Sequence, residues 1–319
     1  MSETVAVWGA SGNAGRELVG ILEDHPEVGE IEKAGRRFPK GIDHIETAFL
    51  ALPHGESAKI AARLKKTGRK VIDLSGDLRF STPEEYERWY DIPHPAPDLL
   101  PVPYALPEWD TGQIESSELV AMPGCYPTAT LLGINPLVQA GVLAHEARIQ
   151  VNAVSGFSGR GNQPMPEVQY GNLIPYAVGR QHRHVGEMEL FTLGHEINFA
   201  PSTIDQYRGM LVTITAQLAT KGICDEMVHG ILEDEYRDDD FVAVLDDGEL
   251  PTFKTGAGTD MCYIGATADN CAATIVSAID NLRKGAASQA VQVFNRMHGY
   301  DEAMGLTPNQ PAEYTTSCR

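Results

Sequence analysis

A chain of 319 residues exceeds what one small core usually holds, so two domains are the default organisation. A net charge of −19 excludes a nucleic-acid binder that works through a generally basic surface, and any phosphate site must rely on locally placed arginines or backbone N–H groups. The five cysteines form no CxxC pair, which argues against a disulfide framework or zinc ribbon. No apolar run reaches the roughly 20 residues of a membrane span, and no basic leader precedes the first strand, so a cytoplasmic protein that does not enter a membrane is expected.

In chain order, Val5 to Trp8 reads as a buried parallel strand. The turn Gly9-Ala10-Ser11-Gly12-Asn13-Ala14-Gly15 follows, and then Leu18, Ile21 and Leu22 at helical spacing. A GxxGxxG between a strand and a helix suits the pyrophosphate of a dinucleotide, with Gly9 for the turn, Gly12 for backbone approach and Gly15 for helix–strand contact. Ser11, Asn13 and Ala14 belong to the same cradle, although a purely structural turn is the alternative. After the next strand, Arg36 and Arg37 favour the 2′-phosphate of NADP over the ribose hydroxyl of NAD, unless they only solvate a surface loop.

Thr47 to Leu52 and Val71 to Leu74 are further strands, with a helix from Ser57 to Lys66 between them. The alternation predicts an α/β fold: an N-terminal, Rossmann-type doubly wound parallel sheet. Tyr86 to Pro107 reads as a long ordered loop. Leu119 to Met122 is a short strand that delivers Cys125, behind the Pro123-Gly124 turn, to a helix whose apolar residues are Leu131, Ile134 and Val138. Pro136 is expected to kink or shorten that helix. A cysteine at a helix start has its thiolate stabilised by the helix dipole and free N–H groups, so Cys125 is either a nucleophile or a packed structural thiol.

From Ala147 the pattern changes to that of an α+β domain with a mainly antiparallel sheet. Its strands lie near 148–154, 209–216, 241–245, 261–266 and 273–276, and its helix Asp225 to Tyr236 should bury Met227, Ile231 and Leu232. The loop Ser155-Gly156-Phe157-Ser158-Gly159-Arg160-Gly161 is a backbone wall for cofactor or substrate, or an ordinary turn. His182, Arg183, His184 and Glu187 concentrate imidazole, guanidinium and carboxylate. No further ligand cluster completes a metal site, so an acid/base beside a cysteine, or a solvated surface, is the better reading. A C-terminal helix with Ala286, Ala290, Val293 and Met297 should return to the first domain and bring Asn281 near the cofactor. The expected division is a NADP-binding domain of residues 1–123 completed by a C-terminal helix of residues 279–319, and a catalytic and oligomerisation domain of residues 124–278.

Several stretches together resemble the N-acetyl-gamma-glutamyl-phosphate reductases of the aspartate-semialdehyde dehydrogenase group. They are the glycine turn, Leu52 to Gly55, Ile72 to Arg79, Tyr104 to Glu108, Pro123 to Thr128, Ser155 to Gly159, His182 to His184, Arg208 to Leu211 and Ser277 to Gly285. The resemblance implies NADPH-dependent reduction of an acyl phosphate to a semialdehyde, with inorganic phosphate released, in arginine biosynthesis, by a homo-oligomer (dimer or tetramer). It implies Cys125 as nucleophile and His182 as acid/base, with His184 the fallback. Ser155, Gly156 and Asn281 are expected at the cofactor and Glu187 at the substrate, and Arg79, Arg183 and Arg208 are candidates for the substrate carboxylate and phosphate because bidentate guanidinium contacts suit both groups. The lysine-pathway relative acting on an aminoadipyl phosphate, and a non-catalytic NADP-binding regulator, are the alternatives. The chain departs from the family pattern at Met122, where asparagine is usual, at Gly159-Arg160-Gly161-Asn162, where Gly-Ala-Gly-Arg is common, and in a short segment between Arg37 and Thr47.

Overall fold

The computed structural model describes residues 2–35, 42–110, 112–161, 171–269 and 271–317. Its first compact unit comprises Met1–Gly124 and Ala286–Thr307, and its second comprises Cys125–Gly285 and Pro308–Arg319.

The first unit is built on β1 (Glu3–Trp8), α1 (Asn13–Glu23), β2 (Val28–Ala34), β3 (Thr47–Leu50), α2 (Ser57–Lys65), β4 (Lys70–Asp73), α3 (Pro83–Tyr90), α4 (Gln113–Ser116) and β5 (Leu119–Ala121). The five strands form one parallel sheet in the order β2-β1-β3-β4-β5. Helices cover both faces, so side chains of either parity are buried: Val5 and Val7 in one apolar cluster, Ala6 and Trp8 in the other. This explains why β1 reads as an unbroken apolar run. The strand order reverses between β1 and β3, the crevice where open α/β sheets bind ligands.

One element differs from the sequence reading. Tyr86 to Tyr90 is helical, because Thr82 and Glu85 form a capping box with Pro83 in the first turn. The N-terminus of α2 has no side-chain cap from its own N-cap residue. Asp77 supplies one from a distance, accepting the N–H groups of Gly55 and Ala58 at 2.6 and 3.0 Å.

The second unit opens on α5 (Cys125–Gln139) and continues through β6 (Ile149–Gly156), β7 (Leu173–Pro175), α6 (His184–Glu189), β8 (Ile197–Ile204), β9 (Met210–Gln217), α7 (Asp225–Tyr236), β10 (Val242–Val244), β11 (Glu249–Pro251), β12 (Cys262–Ala268) and β13 (Ala272–Ile279). Its seven-stranded sheet has the order β10-β12-β13-β9-β6-β8-β7 and is mixed, with antiparallel pairs in the majority. α5 packs on β9 and β13, and α7 on β10 and β12.

α5 is neither shortened nor ended by Pro136. The missing N–H of Pro136 deprives the Leu132 carbonyl of its helical donor, and the Tyr236 hydroxyl donates to that carbonyl at 2.6 Å. In α7 the buried face is Val228, Leu232 and Tyr236, whereas Met227, expected inside, is exposed.

The C-terminal segment also differs from expectation. β13 runs on to Ile279, the helix α8 spans Ala287–His298 in the first unit, and β14 (Thr315–Ser317) pairs antiparallel with β11 in the second. Thus 279–317 is a strand end, a turn, a helix and a returning strand.

Candidate active site

In the first unit the glycine turn is shaped by contact. Gly9 has φ +82°, and a Cβ there would lie 2.2 Å from the Ala51 carbonyl oxygen; a Cβ on Gly15 would lie 2.2 Å from that of Gly9. Gly12 is the N-cap of α1 and makes no side-chain cap, and the first turn holds no acidic residue. The leading N–H groups of α1 therefore meet no carboxylate of their own first turn, and the residues present fit a dinucleotide pyrophosphate. Asn13 Oδ1 accepts from Arg16 at 2.9 Å, while Ser11 is exposed beside it and Ala14 half-buried. Arg36, expected at the adenosine end, lies outside the described residues.

The second unit gathers most of the remaining candidates. Cys125 is the first residue of α5 and is half-buried. Behind it lies Gly285, where a Cβ would stand 2.8 Å from the Cys125 Cβ and 2.8 Å from the Asn281 carbonyl oxygen. Only hydrogen fits there. The next residue, Tyr126, shares a 3.0 Å hydroxyl–hydroxyl hydrogen bond with Tyr176, whose ring carries the Arg160 guanidinium at 4.1 Å. Burial, the neighbouring phenol and the Cys125 sulfur raise Tyr126 well above the usual phenol range. His182 packs edge-on against Tyr126, Tyr176 and Phe199, with centroids 5.7, 5.7 and 5.3 Å away. His184, the fallback imidazole, stands 4.7 Å from His182 and is buried.

Other expected residues are held by the scaffold. Asn281 accepts the Gly209 N–H at 2.9 Å and donates to Ser158 at 2.9 Å, tying the loop after β6 to the turn before β9. Ser155 is buried and donates to the Gly156 carbonyl at 3.1 Å. Arg208 pairs at 3.3 Å with buried Asp280, which burial raises and which also accepts the Gly258 N–H at 2.6 Å. Arg183 is exposed at the head of α6, and Glu187 is buried within it. Arg79 belongs to the first unit, donating from Nε to the Met122 carbonyl at 2.8 Å and from Nη2 to that of Leu74 at 3.0 Å. Sequence reading did not assign roles to Tyr126, Tyr176, Arg160 and Gly285. Tyr126 and Gly285 sit inside recognisable stretches, whereas Tyr176 carries no local signal. Among the described residues no cluster of three or more His, Cys, Asp or Glu side chains could hold a metal ion, and no helix is long and apolar enough to cross a membrane.

Residues 34–117 match the NAD binding domain of semialdehyde dehydrogenases, and residues 125–281 match their dimerisation domain. The fold is that of aspartate semialdehyde dehydrogenase II of Vibrio cholerae, with TM-score 0.72 at 18% identity over 94% of this chain and 99% of that one. The Candida albicans aspartate semialdehyde dehydrogenase gives 0.69 at 12% identity, over 93% and 99%. A parallel dinucleotide-binding sheet and a mixed-sheet domain opening on a cysteine thus define an oxidoreductase of the semialdehyde dehydrogenase class. Within it, N-acetyl-gamma-glutamyl-phosphate reductases of Acetivibrio thermocellus and Methanosphaera stadtmanae are 35% and 36% identical, each over 95% of this chain and over 98% and 96% of theirs. That of Bacillus mycoides is 38% identical over 95% and 97%. The chain belongs to the N-acetyl-gamma-glutamyl-phosphate reductase family.

Proposed function

We propose that the protein reduces N-acetyl-L-glutamyl 5-phosphate to N-acetyl-L-glutamate 5-semialdehyde, in arginine biosynthesis, through a thioester on Cys125. The observation that carries this reading is the place of Cys125 at the start of a 15-residue helix whose first turn has no acidic side chain. The N–H groups there favour a thiolate and then an oxyanion. The Cys125 sulfur adds to the acyl carbon, the bond to the phosphate oxygen breaks, and a thioester remains. The glycine turn Gly9–Gly15 would hold the pyrophosphate of NADPH, which when bound would supply the hydride for the reduction. The C–S bond then breaks, and Cys125 returns as thiolate when the aldehyde leaves. His182 is the second catalytic group, and Arg183 and Arg208 bind the carboxylate and phosphate as bidentate donors.

The reverse reaction, with semialdehyde, NADP and phosphate, tests the assignment. Cys125→Ser should abolish turnover, and equal rates in the two proteins would rule out the thioester. Assay of the aminoadipyl phosphate alongside separates the lysine-pathway substrate from the glutamyl one. A clear preference for NADP over NAD is expected from Arg36.

The four described cysteines are free thiols, which suits the reducing cytoplasm. One sheet face, carrying Asn152, Val154, Leu211, Thr213 and Thr215, is wholly or partly exposed, and it is the surface through which a homo-oligomer (dimer or tetramer) would form. A Thr213→Arg variant should then run as a smaller species on size exclusion with light scattering.

A further inference from the structure

Two loops at the carboxyl ends of the parallel strands share a single carboxylate. The loop after β3 begins at Ala51, whose N–H donates to the Trp8 carbonyl at 2.9 Å and whose own carbonyl packs against Gly9 at the head of the glycine turn. It runs through His54 and Gly55 into α2. The loop after β4 carries Ser75, Gly76 and Asp77. Asp77 is fully buried, its Oδ1 accepting the Gly55 N–H at 2.6 Å and its Oδ2 the Ala58 N–H at 3.0 Å. One side chain thus sets the spacing of the two loops.

Helix α3 holds that side chain from the other direction. The Tyr86 hydroxyl donates to Asp77 Oδ1 at 3.0 Å, and His94 Nε2, beyond the helix, donates to the Asp77 carbonyl at 2.7 Å. Tyr90 stacks on Tyr86 with centroids 4.5 Å apart and packs against His54 at 5.2 Å, while a Cβ on Gly76 would overlap its hydroxyl. The Asp77 N–H donates to Ser75 Oγ at 3.1 Å, and that hydroxyl donates to Asp73 at 2.9 Å.

The Asp77 carboxylate fills the start of α2, whereas the first turn of α1 has no acidic residue, so the anionic pyrophosphate is directed to α1. A dinucleotide lying across this switch point puts its adenosine ribose at the end of β2. Its nicotinamide half then falls over the ends of β3 and β4, where the two loops stand.

We propose that Asp77 is a positioning residue for the nicotinamide half of the cofactor, fixing the wall that the loops after β3 and β4 present to it. The proposal rests on the dinucleotide reading of the first unit and is independent of which acyl phosphate is reduced. Asp77→Asn keeps the volume but sets an amide N–H against a backbone N–H, so one loop must move. Tyr86→Phe is the control, because it removes a donor to the same carboxylate and leaves both backbone bonds in place.

The test is nucleotide binding to the whole protein, followed by NADPH fluorescence and by calorimetry with adenosine 2′,5′-bisphosphate, which carries the adenosine half alone. NADPH should bind Asp77→Asn about tenfold more weakly than wild type, the equivalent of one lost hydrogen bond, and Tyr86→Phe within about twofold. The bisphosphate should bind all three proteins alike. Without nucleotide, the Gly55 and Ala58 amides should exchange hydrogen faster in Asp77→Asn. Equal NADPH affinity in wild type and Asp77→Asn overturns the proposal. So does an equal loss in Tyr86→Phe, or a parallel loss for the bisphosphate, since either marks a general softening of the first unit. Should Asp77→Asn not fold, Asp77→Glu, which keeps the charge but displaces it by one methylene, is held to the same split between the two ligands. A wild type that binds no NADPH overturns the proposal together with the dinucleotide reading. If the binding results are as expected but no acyl phosphate is reduced, the reductase reading fails and the role of Asp77 stands.

Discussion

The Nε of Arg79 donates to the carbonyl oxygen of Met122 at 2.8 Å, three residues before the cysteine. Its Nη2 holds the Leu74 carbonyl at 3.0 Å, and the Met122 N–H returns to the Asp73 carbonyl at 2.8 Å. The Met122 side chain is buried in the apolar cluster with Val5, Val7 and Phe49. At this position, where the family usually has asparagine, the backbone does the polar work and the side chain fills the core. Arg79→Ala should cost on the order of 2–4 kcal/mol in chemical denaturation, because two charge-assisted hydrogen bonds to carbonyls are lost. An unchanged midpoint with a raised KM for phosphate would instead make Arg79 a substrate ligand.

Gly285→Ala tests the wall behind the nucleophile. The new methyl would lie 2.8 Å from the Cys125 Cβ, so the cysteine or the 281–285 turn must shift. A misplacement of this kind should lower kcat at least tenfold, while overpacking costs about 1–3 kcal/mol. Gly20→Ala is the control: no atom lies within 4 Å of a Cβ there, and its helical position predicts a small gain in stability. Comparable kcat values in wild type and Gly285→Ala would remove the wall from the mechanism.

What could be read from the sequence followed the range of the forces involved. β1 and the glycine turn were legible because a parallel strand covered on both faces is apolar throughout and its turn is contiguous. β8 escaped notice because Pro201 interrupts it, although the strand pairs with β6 and β7 through and around that residue. Helix α3 was hidden by its aromatics, although the Thr82–Glu85 capping box was there to be read. At the site, Cys125 and His182 stood in recognisable local patterns. Tyr176 and Arg160 matter through proximity to residues distant in the chain, and Asp77 caps a helix that starts 20 residues earlier, which no local pattern encodes.

Asp73 makes stability depend on pH in an unusual direction. It is fully buried and accepts from Ser57 and Ser75, yet burial, with the neighbouring Asp77 charge, raises it from 3.8 to about 6. Between those values the folded protein holds a proton that the unfolded chain has lost, so this group's contribution is present below about pH 4 and fades as pH rises through 6. Asp73→Asn removes the ionisation and keeps the main acceptor. The wild type should therefore lose stability relative to the variant between about pH 4 and about pH 6, by about 3 kcal/mol in all. A constant offset between the two denaturation curves across that range would show that Asp73 does not titrate there.

The hydroxyl of Tyr236 and the ring of Pro136 are predicted to be coupled. Pro136 leaves the Leu132 carbonyl without its helical donor, and Tyr236 fills that vacancy at 2.6 Å from the end of α7. Tyr236→Phe alone should cost about 1–3 kcal/mol, since a buried carbonyl is left without this donor. Pro136→Ala restores an N–H four residues along from Leu132, within an otherwise regular helix. In that background the tyrosine hydroxyl becomes redundant, and Tyr236→Phe should cost less than half as much. A double-mutant cycle by urea denaturation gives the coupling directly. Equal costs in the two backgrounds would mean that the hydroxyl stabilises α5 by some route other than the carbonyl that proline exposes.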